Sequence, residues 1–173
     1  MTRQEALLAI SGGLFGPKVK DTKSFHDEFA PAWKRSEEYT RAVFNQMPED
    51  LLDFRYTPES FSFRMQFVHC ITFTAMQLTA RLKVKNPFMH VHDWEEISHK
   101  ELDQRLGEFY QWVERLVGQC SVKQLAEMQG FSGDDIPMWR LFYALENHII
   151  HHRGQAICYL RLKGITPLGY VGW

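Results

Sequence analysis

LENHIIHHRGQAICYLRLKG, residues 145–164, puts two imidazoles where a helix seam would place leucines. Inward positions taken at alternating steps of three and four are Met138, Leu141, Leu145, His148, His152, Gln155, Tyr159 and Leu162. This is the repeat of an amphipathic helix packed in a bundle. Pro137 opens the segment at a favourable first-turn position, Gly164 closes it where glycine takes the left-handed conformation, and Pro167 prevents its resumption. Buried imidazoles without partners are costly. His148 and His152 stand one turn apart on the core face, so something there has to satisfy them. The i,i+4 spacing is also the one with which two imidazoles chelate a divalent ion.

Three more helices follow from apolar periodicity, and no stretch alternates clearly enough for an extended sheet. The first is expected from about Ser24 to Met47, with Phe29, Trp33, Ser36, Thr40, Val43 and Met47 on one stripe and Pro48 ending it. The second begins at Ser60 or Ser62 and runs to about Lys83 through Met65, His69, Thr72, Phe73 and Met76. A third starts at Ser98, where Ser98 and Glu101 have the S-x-x-E form of a capping box, and its seam is Leu102, Leu106, Phe109, Val113, Leu116 and Cys120. Val122 to Met128 reads as a short helix or an extended piece, and Gly130 to Asp135 as a turn. Four long helices with very unequal connections predict an all-α protein, a four-helix bundle with a long crossover.

Composition narrows the function classes. The 173 residues suit one domain, with 45% hydrophobic and 24% charged residues. A formal charge of −1 advertises no basic face, which argues against nucleic acid or an acidic membrane surface as partner. Cys70, Cys120 and Cys158 lack metal-motif spacing and read as reduced, mostly buried thiols in a cytoplasmic setting. Residues 1–23 are expected to be an arm or short helix. Their stretch from Ala6 to Phe15 has the outline of an export signal but lacks a basic cluster before it and an A-x-A site after it.

A third metal ligand would have to come from an inward position on a facing helix. His69 meets that requirement, since no other histidine lies in the middle of an apolar helix. His69, His148 and His152 would hold one divalent ion and leave positions open for water or substrate, as catalytic sites do. His151 lies off the seam and suits the rim of such a site. His90 and His92 sit in a loop, and His99 completes a single E-x-x-H with Glu96 at a helix start. The zincin motif fails because Ile149 occupies the position of its glutamate. Cys70 points about 100° away from His69 and reads as a small buried hydrophobe. Arg153 suits either an anionic substrate group or a helix-end charge reaching solvent, while Tyr56 and Tyr159 are candidates for the cavity wall.

The string TPESFSFRMQFVH ending at His69, then NHIIHHRGQ from Asn147 to Gln155, and finally YLRLKGITP, resembles the DinB-like superfamily of metal-dependent enzymes over about residues 24–170. The resemblance implies an up-down-down-up four-helix bundle, commonly a homodimer, with nickel or zinc on three histidines that correspond to His69, His148 and His152. It also implies chemistry on a low-molecular-weight thiol or another small molecule, in a transferase or a hydrolase-like enzyme. The chain departs from the commoner acidic neighbour of the first paired histidine, having Asn147 before it and Ile149 after it. Two other readings stand beside the enzyme: a non-catalytic metal-binding or stress-associated bundle, and a helical dimerisation module with satisfied core histidines.

Overall fold

The computed structural model describes residues 22–89 and 93–172. Residues 1–21 of the expected arm, and the His90 and His92 loop positions, lie outside the described residues, and Thr22 and Lys23 already belong to the first helix. Four long helices form: α1 (Thr22–Phe44), α2 (Phe63–Leu82), α3 (His99–Gln119) and, after a short helix α4 (Val122–Ala126) and a hairpin β1 (Met128–Phe131) and β2 (Asp134–Pro137), α5 (Met138–Leu162).

Contacts fix the topology. Along α1 and α3 the partners run in opposite order, His26 with Val117, Trp33 with Tyr110 and Arg41 with Asp103. The α2 and α5 helices are also antiparallel, because Gln66 meets Tyr159 while His69 meets His148. Along α1 and α5 the order is the same, from Phe25 with Phe142 to Tyr39 with Arg153. Hence α1 runs up, α2 and α3 down, and α5 up. The connection from Lys83 to Ser98 has to climb back along the bundle, about 30 Å for a twenty-residue helix, before the second descending helix can start.

Local chemistry sets the ends. Ser62 caps α2 by accepting from the Met65 N–H, and Ser98 caps α3 by accepting from the Glu101 N–H at 3.2 Å. Only that half of the box expected at Ser98 forms, since the Glu101 carboxylate turns to Arg105 at 3.6 Å. A complete box lies at Ser121 and Gln124, opening α4. At the end of α5 the Ile165 N–H reaches the Leu160 carbonyl at 2.9 Å and the Gly164 N–H reaches Arg161 at 3.0 Å. With Gly164 at φ 72, this is a Schellman closure.

Three expectations need correction. The first helix ends at Phe44, and Met47 is buried from the turn that follows. The segment read as a turn at 130–135 is the tip of an antiparallel hairpin pairing Met128 with Pro137. Its two-residue loop, Ser132 and Gly133, has positive φ at both positions, as a hairpin twisting in the native sense requires. The stripe assigned to the second helix is its flank and not its core face. Phe63, Phe67, Ile71, Ala75 and Leu78 are buried, while Met65, His69 and Phe73 are only partly covered and Met76 is exposed.

Two polar clamps hold the frame. Arg41 on α1 makes a two-pronged pair with Asp103 on α3, at 3.0 and 2.7 Å. Gly107 makes room for it, since a Cβ there would lie 3.3 Å from the Arg41 guanidinium. Buried Arg64, at the start of α2, holds Asp53 through two bonds at 3.0 and 2.9 Å and donates to the Ile97 carbonyl. It therefore ties the first connection to the residue just before the cap of α3. No helix among the described residues is long and apolar enough to cross a membrane.

Candidate metal centre

The antiparallel pairing of α2 with α5 brings His69 opposite the His148–His152 turn. One ligand atom from each of the three lies within 4.8 Å of the others. Their ring centroids form a near-equilateral triangle, 5.1 Å from His69 to His148, 4.8 Å to His152, and 4.5 Å between the pair. His152 is buried, whereas His69 and His148 are partly exposed, so the cluster opens to solvent on one side. Phe61 and Phe73 pack on the rings, Phe73 at 4.3 Å from His148 and Phe61 at 5.1 Å from His69.

A chain of hydrogen bonds orients His152. The Tyr159 hydroxyl donates to the Phe61 carbonyl at 2.5 Å, so its oxygen is left to accept from Gln66 Nε2 at 3.3 Å. That turns Gln66 Oε1 toward His152, whose Nδ1–H donates to it at 2.6 Å. The lone pair of His152 is thereby placed on Nε2, which faces His148 Nε2 at 3.1 Å. Gln66 Nε2 also donates to Gln155 Oε1, and Gln155 in turn donates to exposed His151 at 2.6 Å.

Electrostatics keep the cluster neutral. Burial, with His148 and His69 adding to it, pushes the His152 imidazole down to about 3. Burial and then His69 push His148 to about 4, and burial lowers His69. Neutral imidazoles are the ligating form. Two nitrogens about 2.0–2.1 Å from one ion stand about 3 Å apart at the angles of ordinary coordination, and the 3.1 Å between the two Nε2 atoms fits that bite. A set of three imidazoles with no carboxylate suits a divalent ion of the first transition row.

These shifts have a consequence for the ion-free protein. Each imidazole held below its ordinary 6.5 binds a proton less readily when folded than when unfolded. Unfolding therefore takes up protons once the pH drops under about 6.5, and stability, complete above that value, declines toward the folded values of about 3 and 4. Thermal melts of chelator-treated protein between pH 7.5 and 5 are expected to fall more steeply for wild type than for His152→Leu. Parallel slopes would contradict the shifts.

The other sequence candidates sort themselves. His99 stacks on Phe44 at 4.5 Å, outside the cluster. Cys70 is buried and its thiol is pushed up to about 12 by burial, which leaves it inert. Cys158, in contrast, is exposed. Tyr56 and Tyr159 do line a cavity. Arg153 neither reaches solvent nor joins the histidines: it is buried against α1, donating to Thr40 Oγ1 at 3.0 Å and lying 4.6 Å from the Tyr39 ring centre. Sequence reasoning missed Gln66 and Glu146. Gln66 stands one turn before His69, and that i−3 amide was the only signal for it.

Residues 32–156 match the DinB superfamily, whereas no curated protein matches the chain. Among solved structures, a DinB-like protein from Bacillus cereus is 23% identical and superposes with a TM-score of 0.68, over 83% of this chain and 95% of that one. The DinB-like protein YjoA from Bacillus subtilis is 17% identical, with a TM-score of 0.65 over 83% and 96% of the two chains. YfiT from Bacillus subtilis, described as a probable metal-dependent hydrolase with an unusual four-helix bundle topology, is 15% identical, with a TM-score of 0.65 over 90% and 97%. At such identities the likeness speaks for the fold. The superfamily match spans more than half of the chain, from within α1 to the turn after His152, and takes in all three histidines: the chain belongs to the DinB superfamily.

Proposed function

We propose that this protein is a metal-dependent enzyme in which His69, His148 and His152 hold one zinc or nickel ion and leave coordination positions open to a small-molecule substrate. The observation that supports this most is the convergence of three neutral imidazoles, with ligand atoms within 4.8 Å, at a place partly open to solvent. A structural ion would be expected under a closed fourth ligand instead. The ion would supply a Lewis acid that makes water or a low-molecular-weight thiol nucleophilic at neutral pH. The residues of the chain do the rest. Gln66 fixes the His152 tautomer, Tyr159 and Gln155 fix Gln66, and Phe61 and Phe73 shield the imidazoles so that they stay neutral. The similarity to YfiT favours hydrolysis, and the resemblance noted from sequence favours thiol transfer.

The test is metal analysis of protein purified without an affinity tag, followed by assays of ester and amide hydrolysis and of thiol conjugation to electrophiles. One equivalent of zinc or nickel is expected, with activity lost on chelation and restored by either ion. Absence of stoichiometric metal, together with no thermal stabilisation on adding either ion, would sink the proposal.

A further inference from the structure

Beside the histidines, along the same stripe of α5, lies a cavity of about 290 Å³ lined by Tyr56, Gln155, Cys158, Tyr159 and Leu162. Gln155 is one turn and Tyr159 two turns beyond His152. Both belong to the bonded chain that orients His152, so the cavity and the candidate metal centre share a wall. Phe61 bridges them, its ring 6.3 Å from His152 and its carbonyl bound to the Tyr159 hydroxyl.

The wall is chemically specific. No charged side chain lines it. Two of its polar groups are engaged elsewhere: the Tyr159 hydroxyl on Phe61 and Gln66, and the Gln155 amide on Gln66 and His151. What remains toward the cavity is the ring carbon of two tyrosines, a thiol and leucine methyls. Tyr56 and Leu162 are 55% and 61% exposed, a cost in hydrophobic surface that a bound apolar group would relieve.

We propose that this cavity receives the uncharged apolar arm, aliphatic or aromatic, of a substrate whose polar head sits at the histidines. The inference rests on the metal-centre reading above and adds the substrate class to it: a neutral-tailed molecule, not a zwitterion or a dicarboxylate. An anionic or cationic tail would lose its hydration against a wall that is mostly ring carbon and methyl, with no charged side chain in it. Leu162 and Cys158 act here as specificity-determining residues.

Straight-chain hydroxamates, which bind zinc through the head group, separate the two claims. Calorimetric titration of zinc-loaded protein with acetohydroxamate, hexanohydroxamate and decanohydroxamate is expected to show affinity rising along the series, the longest chain being needed because Leu162 lies about 15 Å along the helix from His152. Each methylene withdrawn from water strengthens binding about three- to fourfold, so the two or three outer methylenes of the longest chain that enter the cavity give about tenfold or more between the ends. In Leu162→Glu and in Cys158→Trp, both at exposed positions, the ratio of the end affinities should fall toward one. In Val122→Glu, on α4, it should stay at the wild-type value. Binding of acetohydroxamate with no gain along the series overturns the arm pocket and leaves the metal centre standing. Failure of every hydroxamate to bind overturns the metal centre, and the pocket with it.

Discussion

In His152→Ala the affinity for zinc or nickel falls by two to three orders of magnitude, measured by competition with a chelator of known affinity. Zinc binding free energies of about 10–16 kcal/mol in four-ligand structural sites put about 2.5–4 kcal/mol on each ligand, and about 1.4 kcal/mol is a factor of ten. His148→Ala and His69→Ala should match it, because the three rings stand in a near-equilateral arrangement. Gln66→Leu keeps every ligand and removes only the acceptor for His152 Nδ1–H, 2.6 Å away. Partners of this kind are worth about 10–100-fold in metal affinity, so its loss should fall between wild type and the histidine variants. The order carries the argument. If Gln66→Leu binds as wild type does, the bonded chain from Phe61 through Tyr159 and Gln66 does not position the ligand. If His152→Ala binds as wild type does, the three histidines are not the site.

The histidine pair was legible because i,i+4 spacing is a property of one helix, and His69 because it was the one histidine in the middle of an apolar segment. Gln66 was not, since its role depends on three partners on α5, Gln155, Tyr159 and His152, with Tyr159 set in turn by the Phe61 carbonyl in the connection before α2. The face of α2 was misjudged for a related reason. Its residues are apolar nearly all round, so the stripe through Met65, His69 and Phe73 looked like core, while the neighbouring stripe through Phe67, Ile71 and Leu78 is the one fully covered. The hairpin escaped because four-residue strands are too short for alternation to register, and the Ser132-Gly133 pair was its only mark. A single inward seam was read for α5, where the structure buries two. His152 and Tyr159 lie on the stripe facing α2, and Glu146, Ile149, Arg153, Ala156 and Leu160 on the stripe facing α1.

That second stripe carries the other large expected effect, and it concerns stability. Arg153→Ala should cost about 3–5 kcal/mol, the range for removing one partner from a buried charged group, or about 6–20 °C in Tm at 2–4 °C per kcal/mol for a chain of this size. Arg153 is 6% exposed, and its guanidinium donates to Ser36 and Thr40 of α1 while lying over the Tyr39 ring. Two turns earlier on the same stripe, Glu146 is 1% exposed, so its carboxyl is held away from water. Burial pushes the Glu146 carboxyl above its ordinary value, and Ser36 and Arg153 work against that rise. Removing the guanidinium therefore removes a donor to α1 and the positive charge that offsets a buried acid. The sign with pH follows. A carboxyl raised in the folded state binds its proton more tightly there, so its contribution is complete below the ordinary 4.5 and is lost as pH rises through the folded value. Without Arg153 the folded value climbs further, and the deficit of Arg153→Ala should be larger at pH 8 than at pH 5. Glu146→Gln removes the titrating group. In that background the Arg153→Ala penalty should shrink and lose its pH dependence, a coupling that denaturant titrations of the four proteins at both pH values would measure. Equal penalties in the two backgrounds would mean that Arg153 holds α5 to α1 by packing and neutral hydrogen bonds alone.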